Sequence, residues 1–172
     1  MYSYEKSKTQ FATFDNSTGT LRFWNRETVP SVGDKDPEGH DVDSVFTELN
    51  YNGQLVFSSI QSSMKEAIAV DKVSFTNTSH MFRYCSNLTT LDISNFDTSK
   101  VTYMDRMFEY CSNLANLDLS SFDTNNVTSM YRMFYDCSNL TLDCSHWNVD
   151  KVTSHRDFNY NAPKVIPPVW KN

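Results

Sequence analysis

From Met81 to Phe158 the apolar and polar positions follow one pattern three times over, in copies spanning 81–106, 107–132 and 133–157. The third copy is one residue shorter, the missing position lying between Leu140 and Leu142. Within each copy the apolar period changes. Val101, Met104, Met107 or Phe108 and Cys111, and again Val127, Met130, Met133 or Phe134 and Cys137, recur every three to four residues, which predicts a helix with one buried face. Thr98 or Ser99, and Thr124 or Asn125, precede these runs as candidate N-caps. Leu91-Asp92-Ile93 and Leu117-Asp118-Leu119 alternate apolar with polar, which predicts a half-buried strand.

One helix and one short strand cannot bury their own apolar side, so the copies are expected to stack, with equivalent positions forming ladders. Leu88, Leu114 and Leu140 make one ladder; Leu91, Leu117 and Leu142 a second; Ile93, Leu119 and Cys144 a third. Phe96, Phe122 and Trp147, and Phe82, Phe108 and Phe134, make two aromatic ones. The expected fold class is α/β, a leucine-rich-repeat-like right-handed solenoid of strand-plus-helix repeats. An N-terminal cap over 1–70 holds a β-hairpin (Gln10 to Phe14 and Thr20 to Trp24), a charged loop from Asn25 to Asp43 and a short helix from Ser59 to Ile68. A partial repeat opens the 71–158 array near Asp71. Pro163, Pro167 and Pro168 make 159–172 an extended tail over its end.

Composition then limits what such a scaffold can do. Twelve Phe, nine Tyr and three Trp supply the apolar bulk, and the formal charge is -6 with a pI near 5.1. No basic run offers nucleic acid or an anionic membrane a counter-surface. No apolar stretch is long enough to cross a bilayer, and Met1 to Lys6 lacks the apolar segment of a secretory signal, so the chain reads as a piece of something larger. The unit M-F-x-x-C-x-x-L-x-x-L-D-[IL]-S-x-F-D-T-x-x-V-T-x-M resembles the BspA-like leucine-rich repeat of bacterial surface proteins. The resemblance runs from Met81 to Phe158, and Phe11 to Trp24 with Lys72 to Phe75 is similar to the segment preceding such arrays. It implies a secreted or wall-attached bacterial protein, adhesive in function, with no catalytic residue to carry over.

Candidate chemistry is sparse. Cys85, Cys111 and Cys137 recur at one position with no adjacent His, and Cys144 shares the inward position of Ile93 and Leu119, so all four read as core more readily than as disulfides or metal ligands. Asp92, Asp118 and Asp143 would line up about 4.8 Å apart on one exposed strip. Local hydrogen bonding, contact with a partner and a calcium-like ion are the three ways to accommodate that row. Thr90, Asn116, Ser94, Ser120, Asn95, Ser121 and His146 flank it. Together these ten residues form the candidate partner-binding strip. Tyr103, Tyr110, Tyr131 and Tyr135 are candidate contact anchors on the other side. No histidine accompanies a nucleophile at a recognisable spacing, and 4 Gly leave no room for a phosphate loop.

The expected function is therefore a monomeric, non-enzymatic cell-surface module, without cofactor or metal, that binds an extracellular protein or glycan. It would bind no nucleic acid and insert into no membrane. The alternative is a spacer in a larger surface protein. An enzyme with its site in the cap is a third reading, which a deep pocket near His40 would favour.

Overall fold

The computed structural model describes residues 7–50 and 56–171. The opening Met1 to Lys6 segment and the last residue of the tail, Asn172, lie outside them. Nine strands form among the described residues: β1 (Thr9–Asp15), β2 (Thr20–Arg26), β3 (Ser44–Phe46), β4 (Glu66–Ala69), β5 (Val73–Ser74), β6 (Thr90–Asp92), β7 (Phe96–Asp97), β8 (Leu142–Asp143) and β9 (Val165–Ile166). They make a five-stranded sheet in the order β3-β1-β2-β4-β6 and two small parallel pairs, β5 with β7 and β8 with β9.

β1 and β2 pair antiparallel with Phe11 opposite Trp24 and Phe14 opposite Leu21. Their connection is tied by Asp15, whose carboxylate accepts hydrogen bonds from the Ser17 amide and hydroxyl, and by Gly19 at φ 74. A Cβ on Gly19 would lie 2.7 Å from the Ser63 carbonyl oxygen, so a side chain there meets backbone as well as strain. One face of the hairpin joins the main core through Ala12, Phe14, Leu21 and Phe23. On the other, Phe11 stacks on Trp24, whose indole N–H donates to the Thr13 hydroxyl at 2.9 Å.

The expected α/β strand-plus-helix solenoid is not formed: the described residues contain no helix, and the regular strands gather in three small sheets. The helix expected over Ser59 to Ile68 is instead a series of turns followed by β4. In the repeats the reason lies in where alternate amides point. A helix would send every N–H back to the carbonyl four residues earlier. Here Glu109 and Cys111 donate three residues back, to Arg106 and Phe108. Between them, Arg106, Phe108 and Tyr110 donate across to Tyr131, Met133 and Tyr135 of the next copy at 2.8, 3.0 and 2.9 Å. The same alternation holds from His80 to Cys85 and from Arg132 to Cys137.

Two residues per turn sit in the left-handed region to make this path: His80 and Tyr84, Arg106 and Tyr110, Arg132 and Asp136, Asp157 and Asn161, all with φ between 53 and 66. None is glycine, so each works against the Cβ clash that normally disfavours that region. A chain of such turns still buries every third or fourth residue, which is why the helical spacing misled. Thr98 and Thr124, expected as N-caps, bridge copies instead. The Thr98 hydroxyl accepts from the Asp123 amide at 2.8 Å, and that of Thr124 donates to the Asn148 carbonyl at 2.8 Å.

The core is continuous from Ala12 to Val165. Phe82, Phe108 and Phe134 are fully buried and stack face to face at 5.8 and 5.4 Å. Leu88, Leu114 and Leu140 are fully buried beside them. In the tail, β9 pairs with β8, and the Trp170 ring lies on that of His155 at 4.1 Å.

Candidate interaction surface

All ten residues of the strip expected to bind a partner (Thr90, Asp92, Ser94, Asn95, Asn116, Asp118, Ser120, Ser121, Asp143 and His146) are exposed. The carboxylates of the row are occupied locally. Asp92, Asp118 and Asp143 each accept a hydrogen bond from the amide two residues on, that of Ser94, Ser120 and Ser145, at 3.1, 2.9 and 2.8 Å. These bonds favour the ionised form, so Asp118 and Asp143 titrate below the ordinary carboxylate range, through the Ser120 amide and Ser145 respectively. Three members, Ser94, Asn95 and Ser121, line one open hollow of about 310 Å³ with Lys72, Asp97 and Asp123. The other seven lie outside its lining. Asp97 is held down to about 2, chiefly by the Ser99 hydroxyl.

On the side formed by the left-handed turns stands a second feature, of which the sequence reading singled out only part. Tyr84, Tyr110, Tyr135 and Tyr160 form a ladder with ring centroids 5.1, 5.7 and 4.9 Å apart. Its end members are the most open, Tyr84 at 41% and Tyr160 at 59%. Arg83 lies over the ring of Tyr84 at 4.3 Å, and Arg132 over those of Tyr131 and Tyr135 at 5.0 and 4.7 Å. Tyr103 is exposed elsewhere, within a line of parallel bridges from Asn77 to Tyr103, Ser129 and Ser154.

Behind the ladder Glu109 is fully buried. Its carboxylate meets Arg83 closely, Arg106 at 3.7 Å and Arg132 at 3.9 Å. The signal for it was visible: an acid at a position that holds Arg83 and Tyr135 in the other copies, among arginines recurring every 26 residues. His80 is buried beside the same group. Desolvation, then Arg83 and Arg106, pull its pKa down to about 4.

The four cysteines are free and buried, and burial pushes Cys85, Cys137 and Cys144 up to about 12 and Cys111 well above its ordinary value. The Cys111 and Cys137 thiols donate to the Phe82 and Phe108 carbonyls at 3.1 and 3.0 Å. In the cap, His40 Nδ1 faces the buried Asp36 carboxylate at 3.1 Å, and the nearby hollow lined by Arg26, Thr28, Pro30, Lys35 and Asp36 does not include His40. Among the described residues no three His, Cys, Asp or Glu side chains gather as a metal site, and no helix is long and apolar enough to cross a membrane.

None of the curated proteins and none of the solved structures matches the chain. A family model does match, over residues 52–169, which is more than half of the sequence. It overturns the assignment to the BspA-like leucine-rich repeat, as the helix-free turns do on structural grounds. Of the residues that carried that resemblance, Lys72 to Phe75 and Met81 to Phe158 lie inside the matched span and Phe11 to Trp24 outside it, and the chain belongs to the family described as Mycoplasma protein of unknown function, DUF285.

Proposed function

We propose that the chain is a non-enzymatic cell-surface module that binds an extracellular protein or glycan through a face built by repetition. The observation that carries this reading is the tyrosine ladder from Tyr84 to Tyr160, with Arg83 and Arg132 lying on its rings. Tyrosine and arginine dominate the residues that carry binding energy at interfaces. Rings held by their neighbours lose little entropy on contact, because their rotamers are already restricted. The Asp92, Asp118 and Asp143 strip is the lesser candidate, since its carboxylates already accept local hydrogen bonds.

The test is binding of the folded chain to a panel of extracellular-matrix proteins and glycans at two salt concentrations, with and without calcium. The expected result is a saturable hit that weakens about tenfold or more in a Tyr84→Ser, Tyr110→Ser double variant. It should be little changed when Asp92, Asp118 and Asp143 are all replaced by Asn. Loss in the Asn variant alone would move the site to the strip, and no hit across the panel would favour a spacer. The spacer reading draws on the cross-copy amide bonds, which make the repeats a stiff unit.

A further inference from the structure

Arg83, Arg106, Arg132 and Arg156 stand far apart in a chain whose formal charge is -6, and stacking of the copies brings them to one side. Two carboxylates lie among them. Glu109 meets the first three, at 3.7 Å from Arg106 and 3.9 Å from Arg132, and Asp157 lies 3.2 Å from Arg132 and 3.8 Å from Arg156. Four guanidinium groups thus share two carboxylates. The acids next in sequence are turned to other donors, Asp105 to the Ser129 hydroxyl and Tyr131 amide, Asp136 to the Asn161 side-chain amide. His80 registers the positive excess, since after desolvation it is Arg83 and Arg106 that lower its pKa to about 4.

The donors of this cluster are far from saturated. Each guanidinium carries five N–H groups. Among the described residues the three around Glu109 make two side-chain hydrogen bonds, Arg83 with His80 Nδ1 at 3.4 Å and Arg132 with Asp157 at 3.2 Å. Neither Glu109 oxygen nor Arg106 Nε has a hydrogen-bond partner there, so the contacts with Glu109 are Coulombic rather than aligned. The guanidinium groups are nonetheless held in place. Arg83 rests on the Tyr84 ring at 4.3 Å, and Arg106 and Arg132 rest on the Tyr131 ring at 4.8 and 5.0 Å. The three side chains are 20, 28 and 30% exposed, so a ligand can reach donors that are already partly desolvated.

We propose that the Arg83, Arg106 and Arg132 cluster binds a sulfate group of an extracellular glycan. Guanidinium forks match oxyanions, and charge-assisted hydrogen bonds of this kind are the strong ones. Three forks from three successive copies call for three acceptor oxygens. A carboxylate has two, whereas a sulfate ester presents three free oxygens on one centre. Because rings and Glu109 already hold the forks, little ordering opposes binding. Repetition favours a glycan over a single phosphorylated side chain. Arg156, 83% exposed, continues the line for a second sulfate, and the ladder of Tyr84, Tyr110, Tyr135 and Tyr160 alongside carries a phenol hydroxyl at each step for the sugar hydroxyls. The inference deepens the binding reading above, and rests on it, by naming the ligand class of the tyrosine face.

The first probe is inorganic sulfate, titrated into the full chain at constant ionic strength and followed by the thermal midpoint. A saturable rise is expected with sulfate and none with acetate, because screening alone treats the two alike. Arg132→Gln should weaken sulfate binding about tenfold or more. Glu109→Gln removes the competing carboxylate and should tighten it, so that sulfate restores more stability to that variant than to the unsubstituted chain. Heparin should bind, and should lose its binding on desulfation and in Arg132→Gln. Equal effects of sulfate and acetate, a sulfate affinity unchanged in both variants, or a phosphoserine peptide that binds more tightly than heparin would each overturn the proposal. A matrix protein or unsulfated glycan of the panel that binds Arg132→Gln as well as the unsubstituted chain, with heparin inert, would overturn this inference alone and leave the binding reading standing. An empty panel, heparin included, would sink both.

Discussion

Arg83 reaches across from one copy of the repeat to the fully buried carboxylate of Glu109 in the next, and Arg106 and Arg132 close on the same carboxylate from 3.7 and 3.9 Å. A buried ion pair adds modestly to stability when intact, but removing one partner leaves uncompensated charge in a dry site. Glu109→Ala leaves three guanidinium groups facing one another and is expected to cost about 3–5 kcal/mol. Arg83→Ala should cost less, because that side chain is one-fifth exposed and two other arginines still balance Glu109. Urea midpoints of the two single variants and the double variant check this. Additive losses would show that the pair is not coupled.

Tyr84 holds the left-handed conformation at φ 64 and its ring stacks on Tyr110. The two effects oppose each other, since the ring stabilises and the Cβ strains. Tyr84→Ala loses the ring and keeps the strain, whereas Tyr84→Gly loses both. Glycine is therefore expected to be the more stable of the two by about 1 kcal/mol, the reverse of the usual order at a helical position. Thermal midpoints decide it, and an alanine variant at or above the glycine variant would contradict the backbone assignment.

Which residues lie inside was legible from spacing alone. Leu88, Leu114, Leu140, Phe82, Phe108 and Phe134 recur in register, and burial follows any chain path that returns every three to four residues. The path itself was not legible, because helical turns and left-handed turns share that period. The deciding information sits in Tyr84, Arg106, Tyr110 and Arg132, which carry positive φ without being glycine or asparagine and so send no local signal. At the surface, the exposure of the Asp92, Asp118 and Asp143 row could be read from alternation. Its local bonding was one of three options there, and Ser two residues on was the residue that distinguished them. The ladder of Tyr84 and Tyr160 was hidden by a register change, since Tyr110 stacks on Tyr135 and not on Asp136, the residue 26 positions later.

His80 supplies an acid-side pH dependence. Burial and the neighbouring Arg83 and Arg106 lower it from 6.5 to about 4, so between those values the unfolded chain binds a proton that the folded chain does not. Its contribution to stability is full above pH 6.5 and is lost as the pH falls to about 4. A His80→Gln variant is expected to flatten the fall in denaturation midpoint across this window. An unchanged slope would assign the acid sensitivity to other groups.

The cysteines act on the alkaline side. An unfolded thiol ionises near 9.0, while Cys85, Cys137 and Cys144 are held up to about 12 by burial. Between those values the folded chain retains protons that the unfolded chain releases, so the stabilisation is full below pH 9 and is lost as the pH rises toward 12. Since the thiolate is the reactive form, alkylation of the native chain at pH 8 should be slow at all four positions and rapid in denaturant. Cys144 isolates the effect, because it is buried at the inward position that Ile93 and Leu119 fill in the other copies. Cys144→Val is expected to keep neutral-pH stability within about 1.5 kcal/mol and to reduce the decline in midpoint above pH 9. Ready labelling of Cys144 in the folded chain, or an alkaline slope identical in the Val variant, would mean that this thiol is not sealed in the core.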